Sequence, residues 1–274
     1  MRTTPIHALQ QECGEMPLNI RRHKLQLQYS IKLKVTDNNP AKAILEDSWQ
    51  NHYGNYKIGT EPWFIQVNEY VNNHGNYIDG PKIPNDPPWR HPKVKFDTSL
   101  SKVINKSDNP IIIKHYALEL IETYNNHTHI YTDGSKTDSG KVGSAFYVPQ
   151  ILQESYRITN NASVFAAELV AIEKALLWIL NHGTISQVVI FTDSLSSVES
   201  IRSNSSTSRP NHLMTIRNIL NTIELQNKSV TLAWVPSHVG VKGNEEADRL
   251  CKVATRKPQV DIIVSKELSD AYRY

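Results

Sequence analysis

Cysteine is nearly absent, with only Cys13 and Cys251 in 274 residues. Two thiols so far apart are not a disulfide framework and cannot make a zinc site alone. A reducing compartment and no disulfide-linked partner are expected. Long apolar runs are also missing. The longest, residues 175–180, has six residues, against about 20 for a membrane helix, so no membrane span is expected. Met1-Arg2-Thr3-Thr4-Pro5 leads into no apolar stretch, so no secretory leader is expected. An intracellular location, cytoplasmic or nuclear, follows as the expectation. Charge of one sign is lacking too. There are 30 basic and 27 acidic residues, split 15 and 13 over residues 1–128 and 15 and 14 over the remainder. With no polybasic arm, net charge neither demands nor excludes a nucleic-acid partner. A composition of 39% hydrophobic and 21% charged residues excludes a fibrous or wholly disordered chain. There is no internal repeat.

The chain divides by texture. Thr4-Pro5 is an N-cap and N1 pair, and Gly14 a stop. Leu25, Leu27, Tyr29, Ile31, Leu33 and Val35 alternate with polar residues, as in a strand. The same stretch is rich in Leu, Gln, Lys and Arg, which favour helix, and Leu25, Tyr29 and Leu33 fit a helical stripe. The residues leave the two readings open, slightly toward strand. Residues 36–107 are rich in Asn, Gly and Pro, with Pro81, Pro84, Pro87, Pro88 and Pro92 inside twelve residues. Proline cannot donate to a ladder or continue a helix, so this is a connector, with short strands possible at 62–67 and 94–97.

Order resumes at Asn109-Pro110. Ile113, Tyr116, Ala117, Leu120, Ile121 and Tyr124 mark one face of a helix. Strands are expected at 128–132, 142–148 and 154–159, with turns at Asp133-Gly134-Ser135 and Asp138-Ser139-Gly140. Ser163 caps a helix to about residue 182. A buried-type strand at 187–192 follows, then helices at 194–202 and 211–225, a strand at 229–235 and a helix from about 244 to 255. This order is α/β.

Four acids in this block stand in informative places. Asp133 ends the first expected strand, where an Asp-Gly is most often only a turn. Asp193 ends the fourth, where an acid also suits a helix start. Asp248 lies one turn into the last helix, favourable for the dipole alone, and for Glu245 and Glu246 that reading suffices. Glu168 shares a helix face with Ile172, Leu176 and Ile179, and burying an unpaired charge costs on the order of several kcal/mol. Jointly they say more. Ligands gather at the carboxyl ends of strands in α/β sheets, and a set of hard oxygen donors suits Mg²⁺ or Mn²⁺ rather than zinc. Crowded carboxylates repel unless a cation fills them.

Tyr131-Thr132-Asp133-Gly134-Ser135, Ala166-Ala167-Glu168-Leu169, Phe191-Thr192-Asp193-Ser194, and Trp234-Val235-Pro236-Ser237-His238 followed by Gly243-Asn244-Glu245-Glu246-Ala247-Asp248 resemble type 1 ribonuclease H, in the form carried by non-LTR retrotransposon polyproteins. The resemblance covers the last ~130 residues. It implies a mixed five-stranded sheet, its first three strands antiparallel, with helices on both faces, preceded here by a helical segment and a long irregular linker. Upstream, Pro17-Leu18-Asn19-Ile20-Arg21-Arg22 is similar to the helical end of a reverse transcriptase, and this resemblance turns the reading of residues 25–35 to helix. The implied organisation is a reverse-transcriptase-derived tail (1–50), a connector (51–108), a connecting helix (109–126), the ribonuclease H domain (127–258) and a C-terminal tail (259–274). The chain then looks like a piece of a retrotransposon polyprotein or a gene derived from one.

The resemblance also implies the chemistry: hydrolysis of the RNA strand of an RNA–DNA hybrid with two Mg²⁺ ions, Mn²⁺ substituting. Asp133 would bridge both ions. Asp248 would complete the site of the water-activating ion, and Glu168 and Asp193 would hold the other. His238 would move a proton near the leaving oxygen or assist exchange of metal and product. Two features depart from the family. Val164 and Phe165 stand where polar residues often touch RNA 2′-hydroxyls, with Asn160, Asn161 and Ser163 nearby as replacements. The basic handle of some members is missing between the middle helices, where only residues 203–210 intervene, so affinity should be modest and salt-sensitive. Trp178 and Trp234 read as core. A silent nucleic-acid-binding remnant and another nuclease of the superfold, a resolvase or transposase, are the competing readings.

Overall fold

Residues 128–136, 187–192 and 229–234 are strands because they alternate between two apolar surfaces. The computed structural model describes residues 16–36, 39–44, 78–79, 93–105, 108–203 and 208–267. In chain order the described elements are α1 (Leu18–Val35), β1 (Ile78–Asp79), β2 (Lys95–Asp97), α2 (Leu100–Val103), α3 (Pro110–Glu122), β3 (Thr128–Lys136), β4 (Val142–Val148), β5 (Leu152–Ile158), α4 (Val164–Asn181), β6 (Gln187–Thr192), α5 (Leu195–Arg202), α6 (Pro210–Leu225), β7 (Ser229–Trp234), α7 (Lys242–Ala254) and β8 (Lys266–Glu267). They fall into two units, Met1–Lys82 with Ser265–Tyr274, and Ile83–Val264.

In the first unit, α1 settles the ambiguity of residues 25–35 as helix. Leu, Gln, Lys and Arg, which make up most of this stretch, favour helix, and the few β-branched positions, Ile31 and Val35, do not outweigh them. Of the stripe expected there only Leu33 is buried, while Leu25 and Tyr29 are exposed. β1 pairs in parallel with β8. The helix start expected at Thr4-Pro5 and the strand at 62–67 lie outside the described residues.

The second unit holds a mixed sheet in the order β2-β7-β6-β3-β4-β5. β2, β7, β6 and β3 pair in parallel, while β4 pairs antiparallel with both β3 and β5. It has six strands rather than five, because Lys95–Asp97 adds to the edge of β7. Even-numbered residues of the central strands, Ile130, Val188, Ile190 and Leu232, pack against Leu169, Ile172, Leu176 and Ile179 of α4 and Leu213, Ile216 and Leu220 of α6. Odd-numbered residues, Tyr131, Val189, Phe191 and Ala233, pack against Ala117 and Leu120 of α3 and Ala247 of α7. Each strand residue is thus committed to one layer, and truncating a fully buried Ile or Leu here costs about 2–5 kcal/mol. The caps behave as the sequence suggests: Asn109 Oδ1 accepts from the Ile111 N–H and Ser163 Oγ from the Ala166 N–H.

Beyond α7 the chain turns back along β5. Ile158 bridges Ile262, and Arg157, buried, donates to the carbonyls of Lys257 and Pro258 and to Asn160 Oδ1. The Arg157 N–H donates to Asp261 Oδ2 at 2.8 Å. These bonds cover a sheet edge that would otherwise be open.

Candidate active site

The parallel register of β3 and β6 builds the site. Their last paired residues are Thr132 and Thr192. The next residue on each is an acid, so Asp133 and Asp193 emerge side by side where the two strands part. Beyond this point β3 does not turn. Asp133-Gly134-Ser135 continues as strand to Lys136, paired with β4 from Asp133↔Ala145 to Lys136↔Val142. The expected turn is therefore a correction. Gly134 is glycine because α4 lies against it. A Cβ there would stand 2.6 Å from the Glu168 amide nitrogen and 2.8 Å from the Ala167 Cβ. Across the ladder, Ser144 Oγ donates to the Ala167 carbonyl at 2.8 Å. Two small residues on facing strands let α4 approach, and its Glu168 reaches the end of the sheet.

Carboxylate oxygens of Asp133, Glu168 and Asp193 lie within 4.8 Å of one another. A second group, Asp133, Asp248 and Cys251, meets the same spacing. Asp133 is common to both. Its Oδ1 accepts from the Gly134 N–H at 2.8 Å and its Oδ2 from the Cys251 thiol at 3.0 Å. Asp193 Oδ2 accepts from Asn244 Nδ2 at 3.4 Å, and its backbone carbonyl from Trp234 Nε1 at 3.0 Å. Trp234, expected in the core, is half-buried and also pins the strand end. Asp248 pairs with Lys252, one turn on, at 2.6 Å. Glu168 is 5% exposed, and its Oε2 has no hydrogen-bond partner.

Burial and mutual repulsion set the electrostatics. Burial, then the charges of Asp193 and Asp248, push the Asp133 carboxyl up to about 6 despite the thiol and amide donors. Burial, then Asp133 and Asp193, hold Glu168 well above the usual carboxylate range. Burial raises Asp193, with Asn244 and His238 opposing. Such a set fits hard divalent cations. It offers several oxygens, one an unpartnered buried carboxylate oxygen, and its crowding is unfavourable until positive charge enters.

His238 sits on the exposed loop between β7 and α7 in a left-handed conformation, with φ 55°. A ring nitrogen lies within 4.8 Å of carboxylate oxygens of Glu245 and Asp248. Glu245 does more than favour a helix start, because its Oε1 accepts from the Gly240 N–H at 3.1 Å and closes the loop that carries His238. Glu246 pairs with Arg249, one turn on. All five sequence-selected residues, Asp133, Glu168, Asp193, His238 and Asp248, line one cleft of about 550 Å³. Its walls add Ser135, Ser194, Ser196, Ser237, Lys136 and Lys252, with Val164 and Phe165.

Asn160, Asn161 and Ser163 do not line the cleft. Asn160 holds Arg157, Ser163 caps α4, and the Asn161 N–H donates to the Gly140 carbonyl. Cleft-lining hydroxyls come instead from Ser135, Ser194, Ser196 and Ser237, the neutral donors at hand. Cys251, Asn244 and Lys252 are the residues that sequence reasoning passed over. One signal was available: Cys251 and Lys252 stand three and four residues after Asp248, on its helix face.

Residues 125–256 match the family model described as RNase H. With the mixed α/β sheet and the acid cluster at its carboxyl end, the match makes this part of the chain an RNase H domain.

Proposed function

We propose that this domain hydrolyses the RNA strand of RNA–DNA hybrids, leaving 3′-hydroxyl and 5′-phosphate ends, with Mg²⁺ held by Asp133, Glu168, Asp193 and Asp248 and Mn²⁺ able to replace it. The observation that carries the reading is the pair of groups sharing Asp133, one of which includes Glu168, a buried acid with an unpartnered oxygen. Bound divalent cations would supply an activated water and charge stabilisation at the phosphate. The chain's own residues do the rest. Asp133, common to both acid groups, would serve both sides of the cluster. Asp193 is held in place by Asn244 and by the bond from Trp234 to its carbonyl. His238, exposed and free to turn toward solvent, moves a proton at the leaving oxygen. Lys136 and Lys252 neutralise phosphate, and the serine hydroxyls can meet the 2′-hydroxyls that distinguish RNA from DNA.

The finer reading is that the domain comes from a retrotransposon polyprotein, with α1 as the end of a reverse transcriptase region. Its support is the motif set and the basic helix Leu18–Val35. The four-acid set argues against a silent remnant.

The test uses the full chain with matched RNA–DNA, RNA–RNA and DNA–DNA duplexes after exhaustive chelation, each ion restored singly. Cleavage of the hybrid alone, with Mg²⁺ or Mn²⁺, is expected. Ca²⁺, larger and looser in its geometry, should support hybrid binding with little cleavage. Full activity in the metal-free sample, or equal cutting of all three duplexes, would sink the reading.

A further inference from the structure

The thiol of Cys251 is fully buried beneath the acid cluster, where nothing in the hydrolysis above uses it. Its sulfur stands 3.0 Å from Asp133 Oδ2 and 3.1 Å from the Asp248 carbonyl. A thiol has one hydrogen to give, and a carboxylate attracts it more strongly than a neutral carbonyl. The other oxygen of Asp133 already accepts from the Gly134 N–H. Each oxygen of this acid therefore holds one donor from the protein and keeps lone-pair capacity on the open side. The sulfur is brought there by close packing. A Cβ on Gly143 would lie 2.1 Å from the Cys251 carbonyl oxygen, so α7 rests directly on β4. Ala145, opposite Asp133 in the ladder, and Leu250 complete the small pocket around the sulfur. A second observation points to a ligand at the same place. Glu168, a side chain 5% exposed, has an unpartnered Oε2, and a carboxylate oxygen of this residue lies within 4.8 Å of one of Asp133.

We propose that Cys251 is a positioning residue. Its S–H, with the Gly134 N–H, fixes the Asp133 carboxylate in the one orientation that turns an oxygen toward each neighbouring acid group, and so prepares it to be shared between two cations. This rests on the reading of the cluster as a divalent-metal site. It makes a specific demand on residue 251, which must fill the pocket and donate a hydrogen bond.

The full chain without nucleic acid is titrated with Mn²⁺, free ion being followed by electron paramagnetic resonance, and a thermal melt verifies that each variant is folded. Cys251→Ser keeps a donor and should bind Mn²⁺ within about threefold of the parent. Cys251→Val fills the pocket without a donor, and Cys251→Ala neither fills nor donates. Both should bind about tenfold more weakly. In hybrid cleavage the same two variants should need more Mg²⁺ for half-maximal rate while keeping most of the rate at saturation. If Cys251→Val binds as tightly as the parent, or Cys251→Ser as weakly as Cys251→Ala, the role is packing and the proposal falls. No Mn²⁺ binding by the parent also overturns it. Metal binding that weakens as expected in a protein that cuts no hybrid would leave the positioning role standing and remove the nuclease reading.

Discussion

At the scale of single residues the site is a balance of repulsion and donors. Asp193 is set beside Asp133 by register and tied by Asn244. Asp193→Asn keeps its shape and removes one charge. Hybrid cleavage should fall at least about a hundredfold, ~2.7 kcal/mol in the barrier, with hybrid binding largely kept. Near-parental turnover would take Asp193 out of the site. Asp133 carries a stability prediction. Its folded-state value, about 6, lies above that of an unfolded aspartate, about 3.9. Between these two values the folded chain holds a proton that the unfolded chain has released. The resulting stabilisation is fully present below the unfolded value and is lost as pH rises through the folded one. Without divalent ions, lowering pH from 7.5 to 5 should add about 1–2 kcal/mol through this group. Asp133→Asn should remove that increment, raise the metal-free melting temperature at pH 7.5 and shrink the rise caused by Mg²⁺. Melting curves at both pH values, with and without Mg²⁺, decide it. An unchanged Mg²⁺ shift would mean that these acids share no ion.

Among the elements, the contact of α4 with β3 matters most to the site. Glu168 reaches Asp133 because Gly134 has no side chain and Ser144 bonds the Ala167 carbonyl. Gly134→Ala would place a methyl against backbone that cannot yield, so α4 must shift or tilt. We expect a loss of about 1–3 kcal/mol in stability and a drop in cleavage of tenfold or more, since sub-ångström displacement of a catalytic group is costly. Thermal melting and the hybrid assay read the two effects separately. A variant unaffected in both would show that the helix does not press on the strand there. The glycine motif was visible in the sequence, but its meaning was not. Asp-Gly usually marks a turn, and only the approach of a helix 33 residues further along makes it a packing site inside a strand.

For the whole molecule the question is where the nuclease unit ends. On motifs alone the domain stops at 258, with a tail beyond. Past that point Ile262 bridges Ile158, Asp261 is bonded to the Arg157 amide and the Val264 N–H donates to Thr159 Oγ1, so the chain runs along β5. A chain ending at 258 should lose about 2–4 kcal/mol relative to one ending at 267, from lost burial and from the hydrogen bonds removed around Arg157. Urea unfolding of the two chains measures it, and equal midpoints would show that the strap contributes nothing. At the other end Lys95–Asp97 extends the sheet through β7. Among the described residues no helix is long and apolar enough to cross a membrane.

Periodicity, caps and turn residues were enough to set the element order from Asn109 to Ala254, because each is written in neighbouring residues and needs no distant partner. The same holds for the choice of acids. A carboxylate on the apolar stripe of α4, or at the end of an all-apolar strand, is conspicuous before any contact is known. Tertiary structure alone decided what those acids meet. The pairing of Thr132 with Thr192, one residue short of both aspartates, is a matter of register between strands some 60 residues apart. The placing of Cys251 on Asp133 joins residues separated by 118 positions. Local sequence carries no signal for either, since register is fixed only when distant strands pair, and the second contact depends on how closely α7 can approach β4, a distance that Gly143 keeps short.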